Sequence, residues 1–361
     1  MLVMRTKLLA VVAIVMMCGS ATFTSCTRVD NVVTTQTKKE YFTLWNDCEA
    51  LTALKGYVED VTNPKSKNYI RVEDRIATFD MDGTLIAELY PTYFEYNMLE
   101  YRALDDPTYR DVAPQDVREA AQAIRDFVRT GKKLSDNFAL VHAHAAAKAY
   151  SGMTVADFDA YVKAFASRPA NGFTGMTNAG SFYKPMLQVI DYLHANNFDV
   201  YVVSGSDRAL CRSLFSTVGV EPNKVIGMDV KYRSDAQGDV DGIDYTMGVD
   251  ETLVRTDELI IKTLKTNKVL MINEEIGKVP VLSFGNTDGD CAMHNYCLGN
   301  KKYKTAAFML IADDEARDHA KREKGLQMGE KWRQAGYHVI SMRDDFRTIY
   351  GNGVVKTDFS F

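Results

Sequence analysis

Arg75-Ile-Ala-Thr-Phe-Asp80-Met-Asp82-Gly83-Thr84-Leu85 decides how this chain folds. Ile76 to Phe79 is a short apolar run of β-formers, which predicts a buried strand, and it stops on two acids separated by one residue. Carboxylates at a strand end need a site to face. In an open parallel sheet the ligand crevice lies outside the carboxyl ends of the strands, so this arrangement delivers Asp80 and Asp82 into that crevice. Being two apart, they fall on one face, about 6 to 7 Å from each other along the strand. Gly83 lets the backbone turn sharply and Thr84 can return a hydroxyl to that turn. A carboxylate held there can act as a nucleophile, splitting one difficult displacement into two easier steps. The bland alternative is an acid-rich turn.

The pattern D-x-D-G-T after a strand resembles the first signature of the haloacid-dehalogenase-like hydrolase superfamily. The resemblance implies a doubly wound α/β core with a parallel sheet. It also implies Asp80 as the nucleophile that forms an aspartyl phosphate, and Asp82 as the acid that protonates the leaving group and later activates water. Three further segments carry the resemblance. Residues 200–203 form a strand-like run ending in Ser204-Gly205-Ser206, similar to the second signature, whose hydroxyl bonds a phosphoryl oxygen. The backbone amides beyond Ser204 open a helix expected at 208–218, so phosphate would also meet a helix N-terminus. Otherwise Ser204 is a simple helix cap. Arg212, one turn into that helix, is a candidate for a substrate anion, or an exposed arginine.

The superfamily needs one lysine between the second and fourth signatures, to neutralise nucleophile and phosphoryl group. Lys268 is the choice, with Lys262 the runner-up and Lys265 and Lys278 the remaining candidates. Residues 281–284 then form a strand that delivers Gly285-Asn286-Thr287-Asp288-Gly289-Asp290. This run resembles the fourth signature, which holds Mg²⁺, a hard cation that keeps waters and accepts a phosphate oxygen. The implied metal set is Asp80, Asp82, Asn286 and Asp290. Asn286 departs from the commonest pattern, because its amide ligates without charge. The loop lacks the spaced acids and closing Glu of a calcium loop.

Residues 1–25 read as a secretory signal, with Arg5 and Lys7 ahead of an uncharged run at 8–17 that is too short to span a bilayer. Cys26 follows small residues at the cleavage point and resembles a lipoprotein processing site. The expectation is a lipid on Cys26, anchoring the chain in a bacterial cell envelope and facing periplasm or exterior. An ordinary secretory signal is the alternative. Residues 27–39 have no apolar period and suit a tether, and 45–58 predict an amphipathic helix within the segment 26–74.

The composition, 46% hydrophobic and 25% charged with net charge −5, is that of a globular protein. It argues against a nucleic-acid binder, which would carry a concentrated basic face. The cysteines beyond Cys26, at 48, 211, 291 and 297, have no metal-like spacing and read as small core residues.

Residues 90–182 interrupt the strand–helix rhythm. Helical patterns at 117–129, 139–150 and 155–166 predict an all-helical insertion. It resembles the cap of the phosphoserine and phosphocholine phosphatase branch and would close over the site. The core is then 75–89 with 183–361. Glu88, with Tyr90 and Tyr93, follows the catalytic loop closely enough to line its entrance, where Glu88 could hold a cationic group or simply be solvated. His142 and His144 are two apart and point to different faces of a helix, which disfavours a metal pair.

The sequence thus predicts a Mg²⁺-dependent phosphomonoesterase acting on a small phosphorylated metabolite. A carbon–halogen or phosphonate hydrolase suits Asp82 less well. From a different class, a non-catalytic envelope binding protein that keeps the fold is the competing expectation.

Overall fold

The computed structural model describes residues 40–361. The signal at 1–25, Cys26 and the tether at 27–39 lie outside the described residues. The decisive strand is present. β1 (Ile76–Phe79) has all four side chains buried, as a strand covered on both faces must. Before it comes α1 (Glu49–Thr62), a little later than the pattern at 45–58 suggested. Trp45 instead lies buried ahead of the helix and donates its Nε1–H to the Pro185 carbonyl. Cys48 starts α1, its sulfur accepting from the Leu51 amide at 3.4 Å. The cysteine expectation holds only in part: Cys211 and Cys297 are buried, but Cys48 and Cys291 are half-exposed.

After β1 come α2 (Phe94–Leu104), α3 (Gln115–Thr130), α4 (Phe138–Ala149) and α5 (Val155–Ala166). The last three match the helical patterns. α2 gave no such pattern, because its buried face includes Glu95 and Arg102 and so breaks the apolar period. Next are a two-residue strand β2 (Phe173–Thr174), α6 (Lys184–Ala195), β3 (Asp199–Asp207) and α7 (Arg208–Phe215). β4 (Val225–Ser234) and β5 (Leu253–Ile261) pair antiparallel as an excursion. Then follow α8 (Thr266–Ile276), β6 (Leu282–Gly285), α9 (Cys291–Leu298), β7 (Ala306–Ile311), α10 (Arg322–Gln334), β8 (His338–Ser341), α11 (Met342–Asp345) and β9 (Val355–Lys356). α10 begins only at Arg322. Residues 315–321 are held irregular by Asp314, which accepts from the Ala316 and Arg317 amides, and by Arg317, which reaches the Met342 and Phe346 carbonyls.

The main sheet has the order β5-β4-β3-β1-β6-β7-β8, and every pairing except β4 with β5 is parallel. The chain fills one side of β1, then the other. The order therefore reverses at β1, with β3 and β6 as its neighbours, and a crevice opens at the carboxyl ends of those three strands. Phe79, Phe284 and Phe308 share one register row across β1, β6 and β7. Their rings stack at 4.2 and 5.0 Å and clamp the centre of the sheet. On the other face, Thr78 donates to Ser283, whose hydroxyl bonds His294 at 2.7 Å. Among the described residues no helix is long and apolar enough to cross a membrane.

Candidate active site

β1 extends its ladder by one residue, the Asp80 amide donating to the Phe284 carbonyl at 2.9 Å. That fixes where the Asp80 carboxylate emerges. The chain then folds back at Gly83 (φ +79°), while the amides of Thr84, Leu85 and Ile86 all converge on the Met81 carbonyl. Lys268, in the first turn of α8, is fully buried and donates to two carboxylates, Asp80 and Asp290, the latter at 2.7 Å. Asp290 follows β6 in the short turn Asp288–Asp290, and its other oxygen accepts the Asn286 and Thr287 amides, both at 3.0 Å. Of the four candidate lysines only Lys268 reaches Asp80. Lys265 is exposed, and Lys278 pairs with Asp74 at 3.0 Å.

Burial alone would drive Lys268 toward its neutral form, but the two carboxylates outweigh it and raise its affinity for the proton. Burial likewise opposes charge on both acids. Lys268 and the backbone amides hold Asp290 below the ordinary carboxylate range, whereas burial and the charge of Asp290 push Asp80 up. Asp82 is pushed to about 7, by burial first and then by the charge of Asp80. Its Oδ2 accepts from Ser206 at 2.9 Å, and its Oδ1 is buried without a partner.

Asp80, Asp82, Lys268, Asn286 and Asp290 share the wall of one cavity of about 180 Å³ with Gly205 and Glu88. Two site expectations change. Ser204 is fully buried behind that wall, its hydroxyl accepting the Ser206 amide at 3.0 Å, and Ser206 lines the cavity instead. Residues two apart on a regular strand share a face, but the β3–β4 pairing shifts register between Val203 and Asp207, and that irregularity lets Ser206 reach Asp82 while Ser204 stays buried behind it. Ser204-Gly205-Ser206 offered two hydroxyls, and the irregularity chooses between them. Arg212 is not at the site at all. It lines a separate, larger cavity of about 540 Å³ with Met228 and Tyr232, and its Nε donates to the Pro222 carbonyl. One turn into α7 carries a side chain past the helix N-terminus rather than back to it.

Glu88 does line the cavity, but it lies against Asn286. A Cβ on Gly83 would stand 1.8 Å from the Asn286 Nδ2 and 2.7 Å from the Glu88 Cδ. Burial, then the charge of Asp82, pushes Glu88 up to about 8, against the lowering contact with Asn286. Residues not anticipated on the wall are Glu95, Tyr96 and Ala139, from α2 and α4, and Leu264. The proximity of Tyr93 to the catalytic loop was the available hint, since α2 begins one residue later.

Among the described residues no three His, Cys, Asp or Glu side chains are arranged around one metal position. Mg²⁺ fits here only if an amide oxygen serves beside the carboxylates. The Asn286 Oδ1 is buried and unpartnered, as such a ligand would be before it meets a cation.

Residues 77–265 match the family described as haloacid dehalogenase-like hydrolase. Among solved structures, a conserved protein of unknown function from Anaerococcus prevotii DSM 20548 aligns at 16% identity and TM-score 0.51, covering 84% of this chain and 94% of that one. A protein of unknown function from Bordetella pertussis Tohama I aligns at 16% identity and TM-score 0.46, over 74% and 97%. A phosphoserine phosphohydrolase-like protein from Francisella tularensis subsp. tularensis SCHU S4 aligns at 12% identity and TM-score 0.41, over 74% and 94%. No curated protein matches the chain in sequence.

Proposed function

The chain belongs to the haloacid dehalogenase-like hydrolases, and from that membership we propose that it is a phosphomonoesterase working through an aspartyl phosphate. The observation that carries this reading is the Lys268 ammonium wedged between the buried carboxylates of Asp80 and Asp290, with Asp82 on the same cavity wall. A fixed cation against a buried carboxylate serves as a preformed counter-charge for an arriving phosphoryl group.

In the proposed reaction an Asp80 oxygen attacks phosphorus and the ester oxygen leaves with a proton from Asp82. Asp82 then takes a proton from water, which attacks the aspartyl phosphate and frees phosphate and Asp80. The elevated proton affinity of Asp82 suits a group that must hold a proton and give it up near neutrality. Ser206 and the Gly205 backbone stand where phosphoryl oxygens would lie, and Ser204 braces that loop from behind. Asp80, Asp82, the Asn286 amide and Asp290 are the groups that would hold Mg²⁺. The ion would supply charge neutralisation to the transferring phosphoryl group.

The test is phosphate release from a panel of small phosphomonoesters, with and without Mg²⁺, comparing the native protein with Asp80→Asn. Metal-dependent release that is lost in the variant, together with capture of a phosphorylated Asp80, is the expected result. The competing reading, an envelope protein that binds organic phosphates without turnover, is motivated by the uncharged Asn286. It gains if esters bind and no phosphate is released.

A further inference from the structure

Lys262 is the second lysine on the cavity wall, and the proposed chemistry leaves it without a task. It follows β5, the antiparallel edge strand, and is held from both sides. Thr263 donates to the Gly227 carbonyl at 2.8 Å and Asn267 donates to the Lys262 carbonyl at 2.9 Å. Its side chain is only 12% exposed, and its one ion pair among the described residues is with the Glu95 Oε2 at 3.7 Å, beyond hydrogen-bond reach. The other Glu95 oxygen is engaged by the Asp207 amide at 3.0 Å. His142 lies 3.8 Å from the same carboxylate and is held neutral by burial, so it adds no positive charge. Lys262 therefore presents a head group with three donors to the cavity.

Its position within the cavity identifies what it would meet. Lys268, Asp80 and Asp290 form one bonded cluster on the wall. Lys262 instead pairs with Glu95 of α2 and shares the wall with Tyr96, with Ala139 of α4 and with Asp82, whose carboxyl lies within its field. In the proposed reaction Asp82 protonates the ester oxygen, so this is the side on which the leaving group sits. Acids otherwise dominate the wall, namely Asp80, Asp82, Glu88, Glu95 and Asp290. Lys262 is the lysine on that wall that Asp80 and Asp290 do not engage. The cavity, about 180 Å³, suits a compact leaving group beside the phosphoryl.

We propose that Lys262 is a specificity-determining residue that selects phosphomonoesters whose small leaving group carries its own anionic group, a carboxylate foremost. This rests on the phosphomonoester reading of the site. Glu95 is a positioning residue that holds Lys262 without consuming its donors.

The test uses equilibrium binding, so that it does not depend on turnover. 3-Phosphoglycerate and glycerol 3-phosphate differ by a carboxylate in place of a hydroxymethyl group. Both are titrated calorimetrically, in Mg²⁺, into the full-length Asp80→Asn protein and into the same protein carrying Lys262→Met or Lys262→Arg. The expected result is about tenfold to a hundredfold tighter binding of 3-phosphoglycerate, as for a charge-assisted hydrogen bond. That ratio should fall to near unity with Lys262→Met and be partly retained with Lys262→Arg. A ratio near unity with Lys262 in place overturns the proposal without any need for the variants to fold. Equal weakening of both esters by Lys262→Met also overturns it, assigning the lysine to the phosphoryl group, as does failure of either ester to bind. If native protein releases no phosphate although the ratio holds, the phosphomonoesterase reading fails and the selectivity stands.

Discussion

Replacing Lys268 by Met probes the arrangement on which the site depends. The substitution keeps length and apolar bulk and removes one charge. It leaves Asp80 and Asp290 facing each other in a buried space, where Lys268 had bonded both. Removing one partner of a buried ionic set costs about 3–5 kcal/mol, chiefly because the partner charge stays buried and uncompensated. The two acids are not equally stranded. Asp290 still accepts two backbone amides at 3.0 Å, whereas Asp80 retains one backbone bond, from Met81, and a long contact of 3.5 Å with Thr84. The cost should therefore fall mainly on Asp80, and neutralising that residue should recover part of it. We expect Lys268→Met to lower stability by about 3–5 kcal/mol in metal-free buffer, and the double variant with Asp80→Asn to be more stable than the single one by about 1–3 kcal/mol. Urea unfolding followed by tryptophan fluorescence reads this directly, since Trp45 and Trp332 are both buried. Phosphate release should fall by about two to three orders of magnitude in the single variant, as for loss of one fixed donor to a transition state. A Lys268→Met protein within about 1 kcal/mol of the native one, or a double variant whose effects merely add, would refute the reasoning.

Gly83→Ala should abolish most metal-dependent phosphate release, because a Cβ would stand 1.8 Å from the Asn286 amide at φ +79°. The atoms it meets end flexible side chains, so a thermal melt should show a loss of only about 1–3 kcal/mol. Asp106 is held at about 2, below its ordinary 3.8, since bonds from Thr108, Arg102 and Tyr161 outweigh the opposing effect of burial. A depressed folded value adds stability above the unfolded value that is lost as pH falls through the folded one. Asp106→Asn should thus cost about 2 kcal/mol at neutral pH, and denaturation across pH should show the gap narrowing between pH 4 and 2. Cys26→Ser should move the protein from the membrane fraction to the soluble fraction if the cysteine carries the proposed lipid, and unchanged partition would exclude that anchor.

The parts of the fold legible from sequence were those with a strict local signal. Strands at 76–79 and 281–284 show as apolar runs, and Asp80, Asn286 and Asp290 share one cavity wall beyond the ends of those strands. Choosing among four lysines was harder, because only the three-dimensional path of α8 brings Lys268 to Asp80. Ser206 was hidden by an irregularity: regular alternation would put Ser204 and Ser206 on one face, and only the shift in the β3–β4 pairing between Val203 and Asp207 separates them. Arg212 was misplaced by treating nearness in sequence to a helix N-terminus as nearness in space. α2 escaped because Glu95 and Arg102, buried by specific partners, interrupt the apolar period by which helices are recognised.

These successes and failures divide along a physical line. The groups assigned to chemistry come from the ends of β1, β3 and β6 and from the first turn of α8, where parallel pairing and short turns dictate position. Those assigned to the leaving group come from α2, from α4 and from the residue after β5, an antiparallel edge strand. Parallel strands flanking one switch point have little freedom, since moving any of them would break two ladders at once. A helix laid over the cavity and a strand at the sheet's edge are each constrained on one side only. Residues there can change without disturbing Asp80 or Lys268. Selectivity for the leaving group should therefore be separable from turnover. Exchanging Glu95, Tyr96 or Lys262 should move the preference among esters while the reaction at phosphorus stays with the strand ends.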